Sequence, residues 1–73
     1  MDYNEFVERV GWGEEFFFYY KNEKYWISRN EHGLYLTRER DSYYQAFKSS
    51  QDLFLNGTID GKPIKDLWNL IEF

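Results

Sequence analysis

The sequence contains no cysteine, and this absence limits both its covalent and its metal chemistry. Disulfide bonds cannot form, and metal sites built on thiolates are excluded. The absence of cysteine is typical of proteins in a reducing compartment. We therefore expect a cytoplasmic location.

Long apolar runs are also missing. No stretch approaches the ~18 consecutive apolar residues that a membrane-spanning helix needs. The chain does not open with the pattern of a secretory signal either. The sequence therefore predicts no association with a membrane.

Residue sets that carry catalysis are scarce. His32 is the only histidine, and it falls in a predicted turn, where a histidine is normally solvated. Glu14 and Glu15 are adjacent, so on a strand their carboxylates point to opposite faces and cannot work as a pair. No glycine-rich phosphate loop occurs, and Asp60-Gly61 lacks the alternating acids of a calcium loop. We predict no enzyme, no cofactor and no metal.

The length limits the number of domains, and the net charge limits the classes of binding partner. The 73 residues suffice for one domain, spanning 1–73. The net charge is −4, with −4 in the first 20 residues, +2 over residues 21–48 and −2 in the remainder. This acidic balance argues against a general duplex-DNA binder. Aromatic residues reach 23%, and bulky rings can compensate for a small core.

A helix is predicted at the start of the chain. Asp2 can cap it, with Glu5 three residues later as the capping-box partner. Gly11 suits the position after the last turn and should end the helix. One apolar face follows the i, i+3, i+4, i+7 spacing and consists of Tyr3, Phe6, Val7 and Val10.

An antiparallel meander is predicted next. Residues 15–20 and 24–29 form two strands around a turn at Asn22-Glu23. A two-residue turn there would place Tyr19 opposite Trp26, whereas a longer loop is the alternative because Asn-Glu is a weak turn signal. The third strand runs from Leu34 to Thr37, with Ile27 opposite Leu36 and Ser28 opposite Tyr35. Residues 43–47 are a candidate fourth strand.

Two short helices are predicted after the strands. Ser49 is a good N-cap, with Asp52 at the third helical position, and Asn56-Gly57 ends this helix. Pro63 fits the first position of a last helix, whose apolar face consists of Ile64, Leu67, Trp68 and Ile71. The fold class is therefore α+β: a three- to four-stranded antiparallel meander with an N-terminal helix and two short C-terminal helices, packed mainly on one face.

Five consecutive aromatic residues, 16–20, cannot all enter one core, because successive side chains of a strand point to opposite faces. Alternation predicts a core face formed by Phe16, Phe18, Tyr20, Tyr25, Ile27, Leu34 and Leu36. The opposite face would then gather four large aromatic residues, which are Phe17, Tyr19, Trp26 and Tyr35. These four are the candidate protein-contact surface. The alternatives are plain cross-strand pairing, or burial of this face under a helix or the 38–46 segment.

The other two tryptophans, Trp68 and Trp12, are predicted to have structural roles. Trp68 is predicted to lie in the core, because it shares a helical face with Ile64 and Ile71. Trp12 is interpreted as a plug at the edge of the core, with an exposed anchor as the alternative.

The chain resembles a family of small uncharacterised proteins of Firmicutes and their phages or mobile elements. The resemblance rests on "EEFFFYYKNEKYWI", a hairpin motif, and on the C-terminal residues Ile59-Asp60-Gly61-Lys62 and Lys65-Asp66-Leu67-Trp68. It implies a cytoplasmic bacterial or phage protein with no assigned enzymatic activity, and it carries no site residues. The family usually has polar residues where this chain has Phe17 and Tyr19.

The leading functional hypothesis is a non-catalytic protein-binding module, such as a regulator, an immunity protein or a phage-type inhibitor. One alternative is single-stranded nucleic-acid binding, with bases stacked on the aromatic face near Lys21, Lys24, Arg29 and Arg38; the net charge makes nucleic acid the weaker partner. A second is an acidic nucleic-acid mimic built from Asp2, Glu5, Glu8, Glu14, Glu15, Asp52, Asp60, Asp66 and Glu72. A third is a homodimer formed through the aromatic face.

Overall fold

The computed structural model describes residues 1–73 and begins with helix α1, Tyr3–Gly11. The Asp2 carboxylate accepts a hydrogen bond of 2.8 Å from the Glu5 backbone N–H, which confirms the predicted N-cap. Phe6 and Val10 are the buried residues of the predicted apolar face. The glycine that adopts a left-handed conformation after the helix is Gly13, at φ 110°, rather than Gly11.

Four antiparallel strands follow as the predicted meander: β1 Phe16–Tyr20, β2 Glu23–Asn30, β3 Gly33–Arg38 and β4 Tyr43–Phe47. The fourth strand is thus confirmed. So is the β2–β3 register, with Ile27 opposite Leu36 and Ser28 opposite Tyr35.

The predicted β1–β2 register is wrong by two residues. The turn is Lys21-Asn22, with φ of 50° and 64°, the positive values that a tight hairpin turn requires at both central positions. Tyr19 therefore lies opposite Lys24, and Trp26 lies opposite Phe17. A shift of two residues leaves every side chain on its predicted face, because the side-chain period of a strand is two.

The C-terminal part starts as predicted and then departs from the prediction. Helix α2, Ser50–Asn56, is capped by the Ser49 hydroxyl, which accepts a hydrogen bond from the Asp52 N–H. A two-stranded hairpin follows, β5 Thr58–Ile59 and β6 Lys62–Pro63, with its turn at Asp60-Gly61. Helix α3 spans only Ile64–Leu67 and continues as one 3₁₀ turn, Trp68–Leu70.

The last residues form a strand that the sequence analysis assigned to a helix. Strand β7, Ile71–Glu72, pairs antiparallel with β1, so that Tyr20 lies opposite Ile71 and Tyr19 opposite Glu72. The sheet consequently has five strands in the order β4-β3-β2-β1-β7. The fold is α+β, as predicted, with one more strand in the sheet.

All the helices pack on one side of this sheet. The buried cluster combines side chains of the sheet with others from the helices and the β5–β6 hairpin, and no polar side chain is buried. Its members are Phe6, Val10, Phe18, Tyr20, Tyr25, Ile27, Leu34, Leu36, Leu53, Ile59, Ile64 and Leu67. The predicted core face is therefore confirmed, with Phe16 only partly buried. Trp68 is also only partly buried, so its assignment to the core is corrected to the core edge.

None of the helices combines the length and the apolar character that crossing a membrane would require.

Candidate protein-contact surface

The four candidate aromatic residues share the side of the sheet that faces away from the helices, which we call the outer face. Phe17 and Tyr19 expose 47% and 43% of their surface, although both are large hydrophobic residues of β1, which pairs with β2 on one side and with β7 on the other. Trp26 and Tyr35 are half-buried. No helix covers this face, and neither does the 38–46 segment, whose strand β4 lies in the sheet itself.

The outer face contains a stacked aromatic pair. Phe17 and Trp26 lie directly opposite each other on β1 and β2, with ring centroids 5.4 Å apart and planes inclined by 12°. The Lys24 ammonium lies 4.3 Å from the centre of the Phe17 ring, which is a cation–π distance. Each ring restricts the other, so the pair presents a fixed apolar surface with a positive charge at its border.

A second aromatic contact lies on β3 and β4, and it includes Tyr44, a residue that the sequence analysis did not assign to the surface. The rings of Tyr35 and Tyr44 meet edge to face at 5.8 Å, and Tyr44 is 59% exposed. Alternation along the candidate fourth strand was the signal that could have placed Tyr44 on this face. Around these rings lies a shallow depression of about 330 Å³, lined also by Ser28, Asn30 and Thr37.

The two contacts form one continuous band across the sheet. Phe17, Trp26, Thr37 and Tyr44 lie opposite one another on β1, β2, β3 and β4. Neighbouring strands are ~4.8 Å apart, so three steps place the outermost Cα atoms about 14 Å from each other. A band of this length can contact a helix or a strand of a partner.

Of the four basic residues proposed to assist nucleic-acid binding, only Lys24 lies on the outer face. Arg29 and Arg38 occupy positions that alternate with Trp26 and Thr37, so they belong to the side of the helices. Lys21 lies in the β1–β2 turn and pairs with Asp60 at 3.4 Å. Of these four residues, Lys24 alone therefore places a positive charge beside the aromatic band, which is little for attracting a nucleic-acid backbone.

Arg38 is held by a neighbouring carboxylate. Its guanidinium donates two hydrogen bonds to Asp41, from Nε to Oδ1 at 3.0 Å and from Nη2 to Oδ2 at 2.7 Å. This contact lowers the pKa of the Asp41 carboxyl to about 2 and raises the pKa of Arg38. The pair borders an open cleft of about 290 Å³ on the side of the helices, between β4 and the β5–β6 hairpin.

Several of the acidic residues considered for nucleic-acid mimicry have structural partners. Arg9 donates hydrogen bonds of 2.8 Å to both Glu14 oxygens, which lowers the pKa of Glu14, and it also pairs with Glu5 at 3.6 Å. Asp52 accepts from the Lys48 backbone N–H and from the Asn56 amide, and its pKa is lowered as a result. These carboxylates therefore support the local structure at the end of α1 and at the start of α2.

The remaining candidates do not form a site. His32 lies in the β2–β3 turn, and no group of three or more histidine, aspartate or glutamate residues could hold a metal ion. Trp12 is 72% exposed at the C-terminal end of α1, so its interpretation as a plug of the core is wrong.

Comparisons with family models, with curated proteins and with solved structures found no match. The resemblance to the Firmicutes and phage family therefore stays a prediction.

Proposed function

We propose that this protein is a small non-catalytic module that binds another protein through its outer face. The observation that carries the proposal is the aromatic band on the side of the sheet that no helix covers, in which Phe17 and Tyr44 are exposed and Trp26 is half-buried. Contiguous apolar patches of several hundred Å² on small proteins commonly mark contact sites.

The chemistry of the band suits a protein partner. Tyrosine and tryptophan dominate binding energy at protein interfaces, and aromatic rings lose little conformational entropy when they are fixed. The stacking of Phe17 on Trp26 restricts these rings before any partner arrives. Lys24 and Glu72, on either side of Tyr19, supply charges of both signs at the border. A partner with an apolar centre and a mixed polar rim would complement this surface.

A binding module of this kind would act by occupying its partner. We propose a role as a regulator, an immunity-type protein or a phage-type inhibitor in the cytoplasm of a bacterium. The resemblance of the hairpin and of the C-terminal motif supports the bacterial or phage origin, and the absence of cysteine supports the compartment. The proposal assigns no catalytic step to any residue.

Single-stranded nucleic acid is the second candidate partner, because the exposed rings of the band could stack bases. The position of Lys24 over Phe17 favours it, while the ion pairs of Lys21 and Arg38 weaken it. Fluorescence anisotropy with mixed-sequence RNA and DNA at low salt separates the two candidates. Salt-sensitive binding below about 50 µM protein would favour nucleic acid over a protein partner.

Capture from a related bacterial lysate, repeated with two matched tryptophan variants, tests the proposal. Trp26→Ser removes the centre of the band, whereas Trp12→Ser removes an exposed tryptophan at the end of α1. We expect wild type and Trp12→Ser to retain the same protein, and Trp26→Ser to lose at least about tenfold in affinity for it. Equal retention by all three folded proteins, or no specific capture at all, would contradict the proposal.

A further inference from the structure

Strand β4 forms one edge of the sheet: it pairs with β3 on one side, and its other side has no strand beside it. Its five residues, YYQAF, include no charge and no proline, and Tyr43, Tyr44 and Ala46 are exposed. Edge strands of monomeric proteins are normally protected by charges, by proline or by shortness. The opposite edge follows this rule, because β7 has two residues and one of them is Glu72.

We propose that β4 pairs with β4 of a second copy, antiparallel across a two-fold axis perpendicular to the sheet. The two five-stranded sheets would join into one continuous sheet of ten strands, with the helices of both copies on the same side. A two-fold axis makes the contact self-complementary, as in most small homodimers. This inference concerns the edge of the sheet and does not depend on the proposed function of the outer face.

The pairing register follows from the sequence of the strand. Residues opposite each other in an antiparallel pair point to the same face of the sheet. A two-fold axis perpendicular to the sheet satisfies this rule only where it lies between the two copies of one residue, which then lies opposite itself. An axis at Gln45 pairs every residue of β4 with another residue of β4. It places Tyr44 opposite Ala46 on the outer face, a large side chain beside a small one, and Tyr43 opposite Phe47 on the other face.

The charges that flank the strand also favour this register. An axis at Gln45 places Ser42 opposite Lys48 and Asp41 opposite Ser49, so no like charges meet. An axis at Tyr44 would instead place Arg40 opposite Lys48, which is repulsive. An axis at Ala46 would leave Tyr43 and Tyr44 outside the strand-to-strand pairing.

Sedimentation of the wild-type protein from about 1 µM to about 1 mM gives the first test. We expect the mass to rise from monomer to dimer and to stop there. Over the same range, the backbone amides of residues 43–47 that point away from β3 should gain protection from hydrogen exchange, while those of β7 should not. A constant monomer mass, or protection gained elsewhere, would overturn the proposal without any need for a variant.

Introduced cysteines test the register, since the natural chain has none. The proposed register brings position 44 of one copy opposite position 46 of the other, at a Cα separation of ~4.5–5.5 Å that a disulfide can bridge. A mixture of Tyr44→Cys and Ala46→Cys proteins should therefore cross-link several times faster than either protein alone. Equal rates in all three samples would refute this register. Faster cross-linking of Phe17→Cys protein would assign the association to the outer face.

Discussion

The two faces of the sheet can be compared at two adjacent phenylalanines of β1. Phe18 is completely buried, while Phe17 exposes 47% of its surface. Both residues are in the same strand and pair with an aromatic residue of β2, Tyr25 for Phe18 and Trp26 for Phe17. Hydrophobicity alone therefore does not decide which ring is covered. The pleat of the strand decides, because it directs one side chain toward the helices and the next away from them.

The surroundings of the rings differ as much as their exposure. On the helix side, the ring of Phe6 contacts five other aromatic rings, at centroid distances from 5.0 to 6.3 Å, which are those of Phe16, Phe18, Phe54, Trp68 and Phe73. On the outer face each ring of the band contacts one other ring, Phe17 with Trp26 and Tyr35 with Tyr44. Removal of one ring on the helix side therefore leaves a cavity. Removal of one ring on the outer face only deprives its partner ring of one contact.

The largest effect is expected for Phe18→Ala. The change leaves a cavity under the helices and should lower the free energy of unfolding by about 3–5 kcal/mol, most of what so small a domain possesses. Phe17→Ala removes the same side chain from the outer face and should cost about 1 kcal/mol or less. Urea denaturation of both variants measures the difference. Equal losses would mean that the outer face is as important for stability as the core.

Trp68→Ala should lie between these extremes. Its ring is partly buried and contacts Tyr3 at 5.6 Å, Phe6 at 5.1 Å and Phe73 at 5.7 Å, at the border of the core. We expect a loss of about 2 kcal/mol, less than the cost of a fully buried tryptophan. Thermal melting followed by circular dichroism provides the measurement. A loss comparable to that of Phe18→Ala would show that the border of the core contributes as much to stability as its centre.

Trp26→Ala tests the outer face with the third tryptophan. The ring is half-buried between its neighbours and stacks on Phe17. Loss of this cross-strand pair should cost about 1 kcal/mol or less and leave the fold intact. The near-ultraviolet circular dichroism of the aromatic pair should decrease, while the far-ultraviolet spectrum stays unchanged. Unfolding at room temperature would argue that this face contributes to the core.

Alternation was sufficient to predict both faces, even though the β1–β2 register was wrong. The error arose because Lys21 adopts a positive φ, and nothing in the local sequence distinguishes Lys21-Asn22 from Asn22-Glu23 as a turn. An error of one residue would have exchanged the faces, whereas an error of two exchanged only the partners. Tyr19 therefore lost its predicted contact with Trp26 but kept its place on the outer face.

Strand β7 could not be predicted from periodicity. Two residues show no alternation, and Ile71 continues the helical spacing of Ile64, Leu67 and Trp68. The structure ends α3 at Leu67, and the open edge of β1 pairs with Ile71 and Glu72 instead. Pairing with β1, which is distant in the sequence, determines the conformation of this segment, and a tertiary contact of that kind leaves no signal in the local sequence.

The smallest effect is expected at the polar rim of the helix side, where Arg38 and Asp41 form their ion pair. Because the pKa of Asp41 is lowered to about 2 in the folded protein, the pair contributes stability above the ordinary aspartate pKa of about 3.9. This contribution is lost as the pH falls toward about 2, where the folded protein binds the proton as well.

Asp41→Asn should therefore melt at a slightly lower temperature than wild type near neutral pH, and this gap in melting temperature should close between about pH 4 and about pH 2. The gap should be small, since exposed ion pairs are screened by solvent. Glu39→Gln removes a negative charge from the same turn at a side chain without an ion pair, and it is the matched control for the loss of one carboxylate. A gap for Asp41→Asn that stays constant down to about pH 2 would show that the ion pair does not act through the charge of Asp41.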